Sequence, residues 1–196
     1  MKAGVVAAVL ALAAVGAAAV PTFADVKGAY RSSDTVVLDR HGTVLQRVRT
    51  EAQHRRLEWV PLRDVSPAFR HALLLSEDRR FHAHSGVDWA AVGAAAWGNL
   101  WNTRTRGAST VTMQLAGLLD EQLAAPAGGR SAGAKLGQAR VAWQLERSWS
   151  KEQILEAYLN LVAFRGEVVG VAALSATLFH KVRAASMRWS RRSPLR

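Results

Sequence analysis

The chain opens with a long segment that carries no charge. No charged side chain occurs from Ala3 to Ala24, and about 20 apolar residues are enough to cross the hydrocarbon core of a bilayer. We therefore predict that residues 1–24 enter a membrane as an anchor or a cleaved signal, and the lone Lys2 and a poor cleavage site favour the anchor. A buried alanine-rich helix is the alternative, which the terminal position and the length disfavour. Residues after this segment should be exported.

The next pattern is that of two short strands. From Asp34 to Val48, two runs rich in β-branched residues flank Arg40, His41 and Gly42. Such runs on either side of a glycine-containing turn are typical of a β-hairpin. We predict a small hairpin inside a linker that covers residues 25–65.

From Ser66 onward the apolar positions recur at helical spacing. Ser66 and Pro67 have the residue types of an N-cap and a first helical position, and the helix should continue to Arg80. Further helices are predicted from Asp88, after Ser109, from Ala134, from Lys151 and from Glu167. The sequence therefore predicts a mainly α domain.

Tryptophans mark one face of the helix predicted from Asp88. Trp89, Trp97 and Trp101 recur at helical spacing on that face. We interpret this stripe as core packing rather than as a platform for a sugar.

The charge of the chain indicates an anionic partner. The 196 residues include 26 Lys and Arg against 15 Asp and Glu, a net charge of +11. Phosphate, an acidic membrane surface or nucleic acid would suit that balance, but no nucleic-acid recognition motif is present, so no nucleic-acid partner is expected. Much of the excess belongs to a basic tail, residues 182–196, which contains no acid. Since there is no cysteine, structural disulfides and thiolate metal sites are excluded.

The stretch "SEDRRFHAHSG", residues 76–86, puts two acids at the end of an apolar helix. At helical spacing Glu77 shares a face with Leu73 and Phe81, whereas Asp78 points to one side. A carboxylate set among apolar side chains has a raised pKa, which suits a general base or acid. The alternative is an ordinary helix C-terminus, where the acids are solvated and the arginines and histidines favour the dipole.

Five blocks in a fixed order resemble a known family. They read "EDRRFHAHSGVDW", "RGASTVTMQLAG", "KLGQ", "LERSWSKEQILEAYLNL" and "GVAALSATLFHK". In order and spacing they are similar to the glycosyltransferase domain of class A penicillin-binding proteins, and within that family to the 1C type. The resemblance covers residues 36–181. It implies a lysozyme-like helical domain, residues 66–181, held on the outer face of the cytoplasmic membrane by a single N-terminal helix.

The resemblance also implies an activity and the residues that carry it. Members of the family polymerise lipid II into glycan strands with inversion at the donor anomeric carbon and release of polyprenyl pyrophosphate. Glu77 matches the general base of the family. Asp78, Phe81, His84 and Gly86 would shape the site, Ser109, Thr110 and Gln114 match substrate-contacting positions, and Glu156, Tyr158 and Asn160 match a mainly structural motif. The start of the helix after Ser109 suits an anion such as pyrophosphate, although Ser109 could equally be a plain N-cap.

The third block departs from the arginine-lysine-x-x-glutamate that is usual in the family. It reads Ala134, Lys135, Leu136, Gly137, Gln138, and Gly117 stands where a lysine is usual. We expect Lys135, Gln138 and Arg140 to contact the substrate. Candidate substitutes in the phosphate grip are Lys135, Arg140 and Arg130. No metal ligand and no cofactor is assigned, but the resemblance leaves open a divalent cation, Mg²⁺ or Mn²⁺.

Beyond residue 181 the resemblance ends. No serine-x-x-lysine nucleophile of a transpeptidase follows, so cross-linking is expected from a partner transpeptidase rather than from this chain. The abrupt basic tail favours a truncated or frame-shifted reading frame. The alternative function is therefore an inactive remnant that binds lipid II or a partner at the membrane, and a lytic hydrolase on the same scaffold is a further alternative.

Overall fold

The computed structural model describes residues 20–93, 109–120 and 132–179. Most of the predicted membrane segment, Trp97, Trp101 and the tail at 182–196 lie outside these residues. In the described ranges no helix is both long enough and apolar enough to cross a bilayer. The chain forms two compact units: a hairpin unit, residues 23–79 and 151–196, and a helix-pair unit, residues 1–22 and 80–150.

The described part of the chain is mainly helical, as predicted. Its elements are α1 (Phe23–Ala29), β1 (Asp34–Leu38), β2 (Val44–Arg49), β3 (Arg55–Arg56), a 3-10 turn (Leu62–Asp64), α2 (Pro67–Glu77), a 3-10 turn (Phe81–Ala83), α3 (Val111–Leu119), α4 (Ala132–Ser148), α5 (Lys151–Leu161), β4 (Ala163–Arg165), β5 (Val168–Val169) and α6 (Gly170–Phe179). Residues 89–93 are also helical.

The predicted hairpin is confirmed. β1 and β2 pair antiparallel, with Asp34 opposite Arg49. The turn forms because Gly42 takes a φ of 80° and because the Asp39 side chain accepts hydrogen bonds from the N–H groups of His41 (2.8 Å) and Thr43 (2.7 Å). Such Asx bonds and a glycine at positive φ are the local chemistry that closes a turn.

A second, smaller sheet was not predicted from the sequence. It has the order β3-β5-β4, in which β5 is parallel to β3 and antiparallel to β4. The helix predicted from Glu167 is therefore wrong in its first residues, since Val168 and Val169 form a strand and α6 begins at Gly170. The pairing with β3, more than a hundred residues earlier, overrides the local helical pattern.

The predicted start of α2 is confirmed, but its end is not. The helix begins at Pro67, with Ser66 at the N-cap position, although the Ser66 side chain makes no capping hydrogen bond. It ends at Glu77, three residues before the predicted Arg80, because Asp78 leaves helical geometry with φ −158° and ψ 78°. The change of direction therefore falls between the two acids.

The core of the hairpin unit forms around α5 and α6. Fully or almost fully buried apolar residues of this unit include Leu57, Val60, Val65, Ile154, Leu159, Val171 and Ala173. Gly170 has a φ of 80°, and a Cβ on it would lie 2.6 Å from the Asn160 carbonyl oxygen. Only glycine allows α6 to start this close to the end of α5.

In the helix-pair unit, α3 packs against α4. Leu115 and Ala116 of α3 and Ala142 and Leu145 of α4 are completely buried. The Thr112 hydroxyl, also fully buried, donates a 2.7 Å hydrogen bond to Glu146 of α4. Trp89, predicted to lie in a core, is 65% exposed, so that prediction is wrong for this tryptophan.

Candidate active site

The two acids at the end of α2 differ in exposure, in the opposite sense to the prediction. Asp78 is 7% exposed, whereas Glu77 and the preceding Ser76 are exposed. The predicted apolar setting of Glu77 is therefore wrong. The reason is local: the helix stops at Glu77, and the extended Asp78 turns its own side chain inward.

The negative charge of Glu77 acts on Tyr158 of α5. The Tyr158 side chain is 2% exposed. Burial, and then the negative charge of Glu77, raise the pKa of the Tyr158 hydroxyl. The phenol therefore stays protonated at neutral pH.

Glu156 and Asn160 of α5 hold the chain that leads into α2. Glu156 accepts hydrogen bonds from the Leu62 N–H (2.7 Å), the Trp59 indole (2.8 Å) and Lys27 (3.1 Å). Burial acts to raise the pKa of Glu156, but these three donors together lower it. The predicted structural role of this motif is consistent with these contacts.

The loop after the two acids belongs to the helix-pair unit. Phe81 is 1% exposed, and its ring makes edge contacts with the rings of His82 (5.0 Å between centroids) and His84 (6.4 Å). His84 is half-buried. Phe81 therefore anchors this loop by packing, while the histidines lie around its ring.

Gly86 is the point at which this loop meets α4. It has a φ of 90°, and a Cβ there would lie 2.8 Å from the carbonyl carbon and oxygen of Ala142. Its own carbonyl accepts a hydrogen bond from the Thr110 hydroxyl. The bracing role predicted for Gly86 thus has a physical basis: the loop touches the backbone of α4, and no larger residue fits.

Thr110, not Ser109, is the N-cap of α3. Its hydroxyl oxygen accepts from the Met113 N–H at 3.1 Å while its proton goes to Gly86, and the residue is 2% exposed. Because both functions of the hydroxyl are used inside the protein, its side chain supports the site instead of reaching a substrate. Ser109 and Gln114 on either side of it are half-buried.

The three residues of the third block that are expected to contact the substrate all lie on α4 but differ in exposure, and Arg130 lies outside the described residues. Lys135 is exposed and Arg140 is half-buried, whereas Gln138 is completely buried. At helical spacing Gln138 shares the inward side of α4 with Ala142 and Leu145. Gln138 is therefore enclosed by the protein in this conformation, and its substrate contact stays a prediction.

The divalent cation that the resemblance leaves open stays a prediction. Among the described residues no three His, Asp or Glu side chains come together in a way that could hold a metal ion. Of the two acids at the end of α2, Asp78 is buried and Glu77 exposed, which does not make a shared cradle of oxygen ligands.

Among the residues that connect the elements around the site, sequence reasoning missed Thr112 and identified Glu156 and Tyr158 only as members of a mainly structural motif. The charge of Glu77 raises the pKa of Tyr158, and Glu156 accepts hydrogen bonds from three donors. Thr112 of α3 donates a hydrogen bond to α4. Each acts across a long sequence separation, and the motif "LEAYLN" was the one signal that pointed to Glu156 and Tyr158.

Comparison with protein families gives one match over most of the chain. A family model described as transglycosylase matches residues 41–191. The matched range includes Glu77, the α3 and α4 helices and the α5 motif.

Curated proteins similar to this chain include a biosynthetic peptidoglycan transglycosylase of Mannheimia succiniciproducens, 37% identical over 63% of this chain and 49% of that protein. Penicillin-binding protein 4 of Bacillus subtilis is 31% identical over 80% of this chain and 24% of its own length. Penicillin-binding protein 1C of Escherichia coli is 42% identical over 59% of this chain and 14% of its own. The chain thus spans about half, or less, of the length of these relatives.

Proposed function

The chain belongs to the transglycosylase family, and on that premise we propose that it is a peptidoglycan glycosyltransferase that polymerises lipid II into glycan strands. The observation that carries the proposal is the position of Glu77, which matches the base of the family and lies exposed at the end of α2. An exposed carboxylate on the last turn of a helix is open to a large substrate. Two relatives at 37% and 38% identity are named biosynthetic peptidoglycan transglycosylases, which supports the same reaction.

In the proposed reaction Glu77 is the general base. Its carboxylate removes the proton of the 4-hydroxyl of the acceptor sugar, and that oxygen forms a bond to the anomeric carbon of the growing chain. The bond from this carbon to the pyrophosphate oxygen breaks, so polyprenyl pyrophosphate leaves with the electron pair on the face opposite to attack. The configuration inverts, as in inverting glycosidases, and Glu77 then gives its proton to solvent.

The proposed leaving-group contacts come from the helix-pair unit. Lys135 is exposed on α4, and Arg140 lies five residues further along the same helix. A guanidinium and an ammonium group are suited to the charge that develops on pyrophosphate. Ser109 directly precedes the N-cap of α3, where backbone N–H groups favour an anion.

We further propose that the chain acts at the outer face of the cytoplasmic membrane, held by one N-terminal span. The uncharged run from Ala3 to Ala24 supports this, as does the lipid anchor of the proposed substrate. The partners would be lipid II, the growing glycan chain and a transpeptidase that cross-links the product.

A second function is favoured by the burial of Gln138. Where the family usually has a charged residue in its third motif, this chain has an amide that is completely buried in α4. Gly117, which replaces a usual lysine, is buried in α3 as well. With two of its charged contacts replaced in this way, the site would bind lipid II without polymerising it.

One experiment separates these functions. The purified full chain is incubated in detergent with labelled lipid II, the glycan products are separated on a gel, and lipid II binding is measured in parallel. Glycan strands support the glycosyltransferase, whereas binding without strand growth selects the second function. Soluble anhydro-sugars or new reducing ends from preformed glycan would instead indicate a lytic hydrolase.

A further inference from the structure

The short helix α1 depends on side-chain contacts to stay in place. It has seven residues, and none of them is buried. A helix of this length is not stable alone in water. Its position in the hairpin unit must therefore come from contacts that its side chains make with other elements.

Those contacts converge on Trp59 and Glu156. The rings of Phe23 and Tyr30 meet the Trp59 ring edge-on, at centroid distances of 6.1 and 5.1 Å. Lys27 lies over the rings of Phe23 and Trp59, at 5.6 and 5.7 Å. Its ammonium group forms an ion pair with Glu156 at 3.1 Å, so two side chains of α1, and Tyr30 directly after it, share one attachment.

The Glu156 carboxylate extends the same attachment to the chain before α2. Its second oxygen accepts the Leu62 N–H at 2.7 Å, while the Trp59 indole and Lys27 share the first. Its side chain is 13% exposed against 42% for Lys27. Leu62 opens the 3-10 turn that leads to α2, and α2 ends at Glu77. One carboxylate thus touches both α1 and the start of the segment that carries the proposed base.

We propose that Glu156 is a positioning residue that couples α1 to the segment Val60–Glu77. It touches no substrate and acts through Lys27 on one side and Leu62 on the other. Residues 1–24 are predicted to enter the membrane, and α1 begins at Phe23. The coupling therefore fixes the position of the segment that ends at Glu77 relative to the chain that leaves the membrane. Its catalytic consequence rests on the proposed function.

The structural coupling can be tested on the full chain in lipid nanodiscs. The chain contains no cysteine, so Ala24→Cys and Ala163→Cys, both at exposed positions, allow one pair of spin labels. Lys27→Met removes the cation, keeps the apolar stem and leaves Glu156 its other two donors. The matched control is Arg47→Met, which removes the cation from the 3.2 Å ion pair between β2 of the hairpin and Glu58.

We expect Lys27→Met to broaden the distance distribution between the labels and to speed hydrogen exchange of the Leu62 amide about fivefold. Arg47→Met should change neither, and Lys27→Arg should restore both. An unchanged label distribution would overturn the attachment of α1. A broadened distribution with unchanged Leu62 exchange would overturn the coupling.

The catalytic arm uses the same variants with lipid II as substrate. Lys27→Met should lower kcat for strand growth severalfold with KM unchanged, since it alters the placement of the base and not the substrate contacts, and Lys27→Arg should recover it. An unchanged kcat would overturn the positioning role. If the unaltered chain makes no glycan, the proposed function fails, while the label distances and the Leu62 exchange still decide the coupling.

Discussion

The side-chain amide of Asn160 pairs with both backbone groups of Val60. Its oxygen accepts the Val60 N–H at 2.8 Å and its nitrogen donates to the Val60 carbonyl at 2.9 Å. The same nitrogen donates to the Glu156 carbonyl at 2.8 Å, and the residue is 1% exposed. A buried side chain that must accept and donate hydrogen bonds at the same time requires an amide. Asn160 therefore suits the position on α5 that holds the chain before α2.

Replacing Asn160 with aspartate should therefore destabilise the fold strongly. The change is isosteric, but it removes both donors and buries a carboxylate beside the Val60 and Glu156 carbonyl oxygens. We expect a loss of about 3 kcal/mol or more in the free energy of unfolding at neutral pH, measured by urea denaturation. Part of the loss should be recovered in acid, where protonation restores one donor. Equal stability of the variant and the unaltered chain at pH 7 would contradict this role.

Glu156→Gln should cost stability in a pH-dependent way. The pKa of Glu156 is lowered in the folded state, so the stabilisation is fully present above its unfolded value of about 4.3 and is lost as the pH falls through the folded pKa. The difference in unfolding free energy between the unaltered chain and the variant should be largest near pH 7 and should shrink as the pH falls below about 4.3. Glu58→Gln, which alters an exposed ion pair of the hairpin, is the control. A difference that stays constant over this range would refute the argument.

Gly86→Ala should destabilise far more than Gly42→Ala. Both glycines have positive φ, but a Cβ at Gly86 would lie 2.8 Å from the Ala142 backbone, whereas nothing lies within 4 Å of one at Gly42. We expect a loss of about 1 kcal/mol at Gly42, from backbone strain, and about 3 kcal/mol or more at Gly86, from strain and overpacking. Thermal unfolding of the two variants measures this. Similar losses at both positions would mean that the loop does not press on α4.

Thr110→Val should weaken the start of α3 while Thr110→Ser should not. Valine has nearly the same shape but loses the cap to Met113 and the donor to the Gly86 carbonyl. We expect a loss of about 2 kcal/mol for valine and less than about 1 kcal/mol for serine. Hydrogen exchange at the Met113 amide would report the lost cap directly. A serine variant as unstable as the valine variant would show that the methyl group, not the hydroxyl, holds this position.

Features set by local chemistry could be predicted from the sequence. The hairpin turn at Gly42 and the start of α2 at Pro67 depend on neighbouring residues alone, and both are confirmed. The alternative that Ser109 is the N-cap of α3 is wrong by one residue, because Ser109 and Thr110 both suit the position and only the fold decides that Thr110 meets Gly86.

Features set by distant residues could not be predicted. The β5 strand forms because it pairs with β3. The inward turn of Asp78 is local, but it depends on the residue at which α2 ends, which the apolar pattern did not fix. Helical periodicity extended past that end puts Glu77 on an apolar face, which the structure contradicts. The family match and the exposed position of Glu77 thus support the proposed base for reasons other than the burial that first suggested it.

The central claim is that Glu77 is the general base of lipid II polymerisation. Its most direct test compares the purified chain with Glu77→Gln and with the control Glu58→Gln, an exposed glutamate in the hairpin ion pair, by the rate of glycan strand formation. Loss of a general base costs about 100-fold or more, so Glu77→Gln should lose at least that while still binding lipid II and while Glu58→Gln stays active. Strand formation by Glu77→Gln at the rate of the unaltered chain would contradict the assignment.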